Sequence, residues 1–215
     1  MSTFEQLSNN KGTVSTALGK VLAQKVLQES RGDILLECID LASYNASAPD
    51  SKHIRSGAAK VVEIVAERQP ELVAPYLEKL FPSLSVQEPQ TRWMIIRVMG
   101  FCARLNRSMA QKAIIYAEKY IDEKEGLVIA SSADLFLGDL GAISKEDAQK
   151  VFPLLERSME SSIENEQDWL LEALFKMFRN LDQARQDKAL RFAERWQYSS
   201  RKHTKQRAQK ILRLK

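Results

Sequence analysis

Val73-Ala74-Pro75-Tyr76-Leu77-Glu78-Lys79 decides the fold, because its frame returns along the chain at nearly constant distance. Glu78-Lys79, Glu118-Lys119, Glu156-Arg157 and Glu194-Arg195 are separated by 40, 38 and 38 positions. The residue two before each Glu is Tyr76, Tyr116, Leu154 or Phe192. Five and four before it stand Val73 and Ala74, Ala113 and Ile114, Val151 and Phe152, and Ala189 and Leu190. A step of 38 back from Glu78 reaches Asp40, framed by Leu35, Leu36 and Cys38. A period of this length is the mark of stacked helical units, not of a globule closed around one sheet.

A second series lies between these segments. Arg55, Arg92, Ile129, Gln167 and Lys205 follow one another at 37, 37, 38 and 38 positions. Three residues on from each come Ala58, Ile95, Ser132, Leu170 and Ala208; seven on come Val62, Met99, Phe136, Leu174 and Leu212. Offsets of three, four and seven share one face of an α-helix, so that face is the expected buried stripe. Each unit then reads as two antiparallel helices. Breaks fall between them at Gly32-Asp33, Asn45 to Asp50, Pro82-Ser83, Glu88-Pro89, Asn106-Arg107, Glu123 to Gly126, Gly141 to Ser144 and Tyr198-Ser199-Ser200. The connections are short and none marks a domain boundary, so the expectation is one domain over 1–215, with a polar N-terminal segment at 1–12.

Composition agrees with an all-α chain. It is 44% hydrophobic and 28% charged, with only eight Gly and six Pro among 215 residues. Met1 to Lys20 lacks the apolar core of a signal peptide, and no stretch approaches the ~20 apolar residues of a membrane span. A soluble cytoplasmic protein is expected, with Cys38 and Cys102 as reduced, buried thiols.

Ile54-Arg55-Ser56-Gly57-Ala58-Ala59 and Glu88-Pro89-Gln90-Thr91-Arg92 resemble the turn and second helix of HEAT repeats, and Pro70 to Leu77 resembles the matching first helix. The likeness covers about Asp33 to Leu214. It implies an α-solenoid of about five stacked antiparallel helix pairs, a right-handed superhelix, whose concave face is lined by the second helices and holds proteins or nucleic acids. Ile129 and Gln167 stand where the family's pattern has Arg.

One offset of the second helices is always charged: Lys60, Arg97, Asp134, Glu172 and Lys210, five after the register residue. It lies opposite the apolar stripe, which predicts a solvent-facing row. One after the register residue come Ser56, Trp93, Ala130, Asp168 and Gln206. Lys60, Trp93, Arg97, Asp134, Asp168 and Glu172 are therefore the candidate partner-binding residues, with Trp93 and Arg97 as anchors and the carboxylates as charge selectors. A row of solvated charges with no partner accounts for the same pattern. Trp169 and Trp196 read as inward-facing.

From Leu181 to Lys215 there are eleven basic residues against three acidic ones, which makes that segment +8 and the remainder −4. Arg201, Lys202, Lys205, Arg207 and Lys210 form a candidate anion-binding set for phosphate backbones or an acidic protein. A polar cap on the last unit accounts for them equally.

Catalytic chemistry is hard to find. His53 and His203 are the only histidines, neither cysteine has a neighbouring His or Cys in sequence, and no Gly-rich phosphate loop occurs. Ser131-Ser132 and Ser161-Ser162 read as N-caps, and Gly138 to Gly141 as a frayed helix end. No metal, cofactor or catalytic residue is assigned. The expected function is a non-catalytic protein- or peptide-binding scaffold. The alternative is nucleic-acid binding through the basic C-terminal units, including the chemistry of a family of HEAT-like DNA glycosylases that excise alkylated bases. That family's tryptophan, acidic residue and arginine would correspond here to Trp93, Asp134 or Asp168, and Arg97, although no local motif around either tryptophan matches.

Overall fold

The computed structural model describes residues 1–10, 16–123, 125–163 and 165–215; positions 11 and 12 of the predicted N-terminal segment lie outside them. The regular structure of the described residues is all helical, with no strand among them. They form two compact units, Met1–Met109 and Ala110–Lys215.

In the first unit, α1 (Thr3–Asn9), α2 (Thr16–Gln28), α3 (Gly32–Leu41), α4 (Lys52–Arg68) and α5 (Pro89–Phe101) follow one another, with 3-10 turns at Pro49–Ser51, Pro70–Leu72 and Ala74–Ser85. α4 packs against α1, α2, α3 and α5. The predicted stripe is its core face, and Ala58, Val62 and Val65 are fully buried. The residues read as a polar N-terminal segment build a capped helix instead. Ser2 accepts from the Glu5 amide at 3.1 Å and Glu5 takes the Ser2 amide at 2.8 Å. The amides of Thr3 and Phe4 donate to Glu37 at 3.2 and 2.9 Å, and Leu7 is buried.

The stretch with which the sequence reading began is a helix of 3-10 type. Pro75 lies in the first turn, where an amide hydrogen has no partner to lose, but Pro82 lies inside Ala74–Ser85, where a break was expected, and removes a donor from an α-helical ladder.

Arg55, first of the register residues, is fully buried. Its Nε and Nη2 donate to the two Glu88 oxygens at 2.8 and 2.7 Å, and its Nη1 donates to the carbonyls of Tyr44, Asn45 and Ala48 at 3.2, 2.8 and 3.1 Å. Glu88 is the N-cap residue of α5 and also accepts from Thr91 Oγ1 at 2.7 Å. One side chain thus ties the loop after α3 to the start of α5. Burial raises the Glu88 pKa, but the hydrogen bonds from Arg55, Thr91 and its own backbone outweigh that and leave it lowered.

The chain continues through α6 (Arg107–Lys112). The second unit then holds α7 (Ile114–Glu123), α8 (Leu127–Gly141), α9 (Lys145–Ser161), α10 (Gln167–Met177), α11 (Gln183–Trp196) and α12 (Lys202–Leu212). α8 packs against α7, α9 and α10, while α12 packs against α10 and α11. At Gly138 α8 lies close against α10: a Cβ there would lie 2.5 Å from Ala173 Cα. The segment read as a frayed end is therefore a buried helix crossing. The serines also differ from expectation. Ser131 and Ser161 bond back to the carbonyls of Leu127 and Arg157 at 2.6 and 2.8 Å inside their helices, away from the N-cap positions.

The recurring Glu-basic pairs find a use within each unit. Lys79 reaches Asp40 at 3.1 Å, and Arg157 reaches Glu118 at 2.9 Å, each the acidic counterpart one repeat earlier. These pairs are exposed and worth about 0–1 kcal/mol each, so they record the stacking rather than drive it.

Candidate binding surface

The predicted solvent-facing row does not survive in the middle of the chain. Arg97 is 8% exposed and Asp134 is 0% exposed. A helical wheel assumes one buried stripe, but α5 and α8 are covered nearly all round: in α8 every residue from Ile129 to Asp134 is buried. Asp168, the other expected selector, is 5% exposed. None of these three is a free surface charge.

In the first unit Lys60 and Trp93 come together. The Lys60 stem packs on α2 at Gly19, where an added Cβ would lie 2.9 Å from Lys60 Cγ. Its ammonium sits 5.5 Å from the centre of the half-buried Trp93 ring and 2.5 Å from Glu63. Burial pushes the Glu63 carboxyl up, against the pull of Lys60. Arg97 turns instead to Phe101, with its guanidinium carbon 4.5 Å from that ring.

In the second unit the two α10 carboxylates are taken by the expected anion-binding residues. Arg201 donates to Asp168 at 2.9 Å, the Thr204 hydroxyl donates to the other Asp168 oxygen, and Arg207 Nε donates to Glu172 at 3.2 Å. Arg201 and Arg207 thus spend charge inside the fold. Lys202, Lys205 and Lys210 are exposed on α12. Trp169 is half-buried under the Arg207 guanidinium, 4.9 Å from the ring centre, not fully inward. Trp196 is also half-buried, and its Nε1 has no partner among the described residues. A cleft of about 500 Å³ opens between α10 and α12, lined by Glu172, His203, Gln206, Arg207, Lys210 and Arg213 among others. Sequence reasoning missed His203, Gln209 and Arg213 as cleft residues; their spacing along one helical face was the available signal.

Cys38 and Cys102 are free and buried. Burial pushes both thiols up, Cys102 to about 12, which disfavours the nucleophilic thiolate. No group of three or more His, Cys, Asp or Glu suited to a metal ion occurs among the described residues.

Asp134 bears a cost instead of a role in recognition. Neither oxygen has a well-formed hydrogen bond among the described residues, and the Ser158 hydroxyl is likewise unpaired. Burial first, and then the neighbouring Glu166, push its carboxyl well above the usual range; the Ser158 hydroxyl opposes the rise. A raised carboxyl pKa means that the folded state holds the proton more tightly, so stability falls as pH rises above the unfolded value near 3.8. Asp134→Asn is expected to stabilise the fold by about 1–3 kcal/mol at neutral pH. The gain should vanish near pH 4. Urea unfolding at both pH values checks this, and a loss at neutral pH would show that the ionised group is held by contacts.

The chain matches no family model and no curated protein. Its fold is similar to two engineered proteins known from crystal structures. One is 17% identical with a TM-score of 0.61, covering 92% of this chain and 97% of its own; the other is 14% identical with a TM-score of 0.60, covering 91% and 95%. At that identity the likeness concerns the all-helical fold alone. No helix among the described residues is long and apolar enough to cross a membrane.

Proposed function

We propose that this chain is a non-catalytic cytoplasmic scaffold of HEAT-like helix pairs, about five in number, that binds a protein or peptide through its second helices. The observation that carries the reading is that α4 packs against both α2 and α5, and α10 against both α8 and α12. Polar side chains at the outer positions of such a row form a continuous contact surface. Among the described residues the thiols are buried and the α10 carboxylates are paired with arginines, an environment that favours binding over bond-making.

Immobilised protein exposed to lysate from its own source cells, with and without nuclease, tests the reading. A protein retained through nuclease treatment and lost in Lys60→Ala/Trp93→Ala supports it. The second reading, nucleic-acid binding, is favoured by exposed Lys202, Lys205 and Lys210. Retention that nuclease abolishes would replace the scaffold by that reading, and release of a base from an alkylated duplex would overturn the scaffold.

A further inference from the structure

The cleft between α10 and α12 carries more than loose positive charge. Arg207 and Lys210 lie across aromatic platforms, the first 4.9 Å from the Trp169 ring centre and the second 5.7 Å from that of Phe175, and both line the cleft. Stacking fixes long cationic side chains that would otherwise be mobile, so less ordering is left to lose on binding. Glu172 neutralises part of Arg207, while exposed Lys210 and Arg213 keep their charge at the rim. Gln206 and Gln209 add amide groups that both donate and accept.

We infer that this cleft docks an acidic peptide segment of a protein partner, with its carboxylates on Lys210 and Arg213 and its main chain on Gln206, Gln209 and Glu172. The inference deepens the scaffold reading and rests on it. Two observations favour a peptide over a nucleic acid. A phosphate backbone offers acceptors only, whereas Glu172 and the glutamine carbonyl oxygens in the wall call for donors, which peptide amides supply. α12, with 11 residues, spans about 16 Å, over which a duplex would present a charge every ~1.7 Å to the Glu172 carboxylate as well as to the cations, whereas a peptide can space its carboxylates away from Glu172.

Fluorescence anisotropy tests it with three labelled probes: a Glu-rich peptide of about 12 residues, its Gln-for-Glu counterpart, and a DNA duplex of similar length. The full chain is compared with Lys210→Glu/Arg213→Glu, whose fold is checked by circular dichroism. The Glu-rich peptide is expected to bind, to weaken about tenfold or more in the variant, and to weaken from about 50 to about 200 mM salt; the Gln peptide and the duplex should not compete. Tighter binding of the duplex, no binding of the Glu-rich peptide, or peptide binding unchanged in the variant each overturns the assignment. If a nuclease-resistant protein is retained equally by wild type and variant, the scaffold reading stands and the cleft does not.

Discussion

Arg55→Met is expected to destabilise the first unit by about 3–5 kcal/mol. The reason is the set of groups left behind. Glu88 would keep only Thr91 and its backbone, and the carbonyls of Tyr44, Asn45 and Ala48 would lose a shared donor in a site where Arg55 is fully buried. Removing one member of a buried ion pair costs far more than the pair contributes, because the surviving charge stays desolvated. Against a typical total of about 5–15 kcal/mol this is a large share. Urea or thermal unfolding measures it, and a loss below about 1 kcal/mol, the scale of an exposed pair, would mean that the site rehydrates freely. Arg55→Met/Glu88→Leu should recover much of the loss. The pH dependence has a definite sign: Glu88 is lowered from 4.5, so its contribution is present above that value and disappears as pH falls through the folded pKa. Asp134 has the opposite sign, which makes the two separable by titration.

The second large effect is at Gly138. An alanine usually strengthens a helix relative to glycine by up to about 1 kcal/mol. Here the added Cβ would lie 2.5 Å from Ala173 Cα, 2.7 Å from its Cβ and 2.9 Å from its carbonyl oxygen. Backbone atoms cannot turn aside as a side chain can, so α8 and α10 would have to separate. Gly138→Ala is expected to destabilise by about 3 kcal/mol, the upper end of overpacking costs. Gly57→Ala is the control: its Cβ would meet only the flexible end of Leu7, at 2.7 Å, and the loss should be smaller. Equal melting temperatures for the two variants would refute the argument from backbone contact.

The helical register was legible because each helix buries one face, and that face imposes a period of about 3.6 residues on its own sequence. Arg55, Arg92, Ile129, Gln167 and Lys205 all fall in or at the start of helices, and Ala58, Ile95, Ser132, Leu170 and Ala208 are buried. The polar surface was legible only in part. The wheel argument failed at Arg97 and Asp134 because burial of a central helix depends on how many neighbours it has, which the helix's own sequence encodes weakly. One trace was present: Leu127 to Ala133 contains no charged residue, the composition of a helix covered on all sides. The pairing of Arg201 and Arg207 with Asp168 and Glu172 was out of reach in another way. Charges 33 and 35 positions apart can meet only if two particular helices lie side by side with the right relative shift. The 3-10 stretch was not legible: Pro82-Ser83 reads as a break between helices yet lies inside Ala74–Ser85, while Pro153 is held within the α-helix α9.

Cys38 and Cys102 both belong to the first unit, and neither lies in the second. Because burial disfavours their thiolates, alkylating or disulfide reagents must wait for that unit to open. The two sulfurs therefore form a native clock: their modification rate times the breathing of one half of the polypeptide and ignores the other, without any label having been introduced.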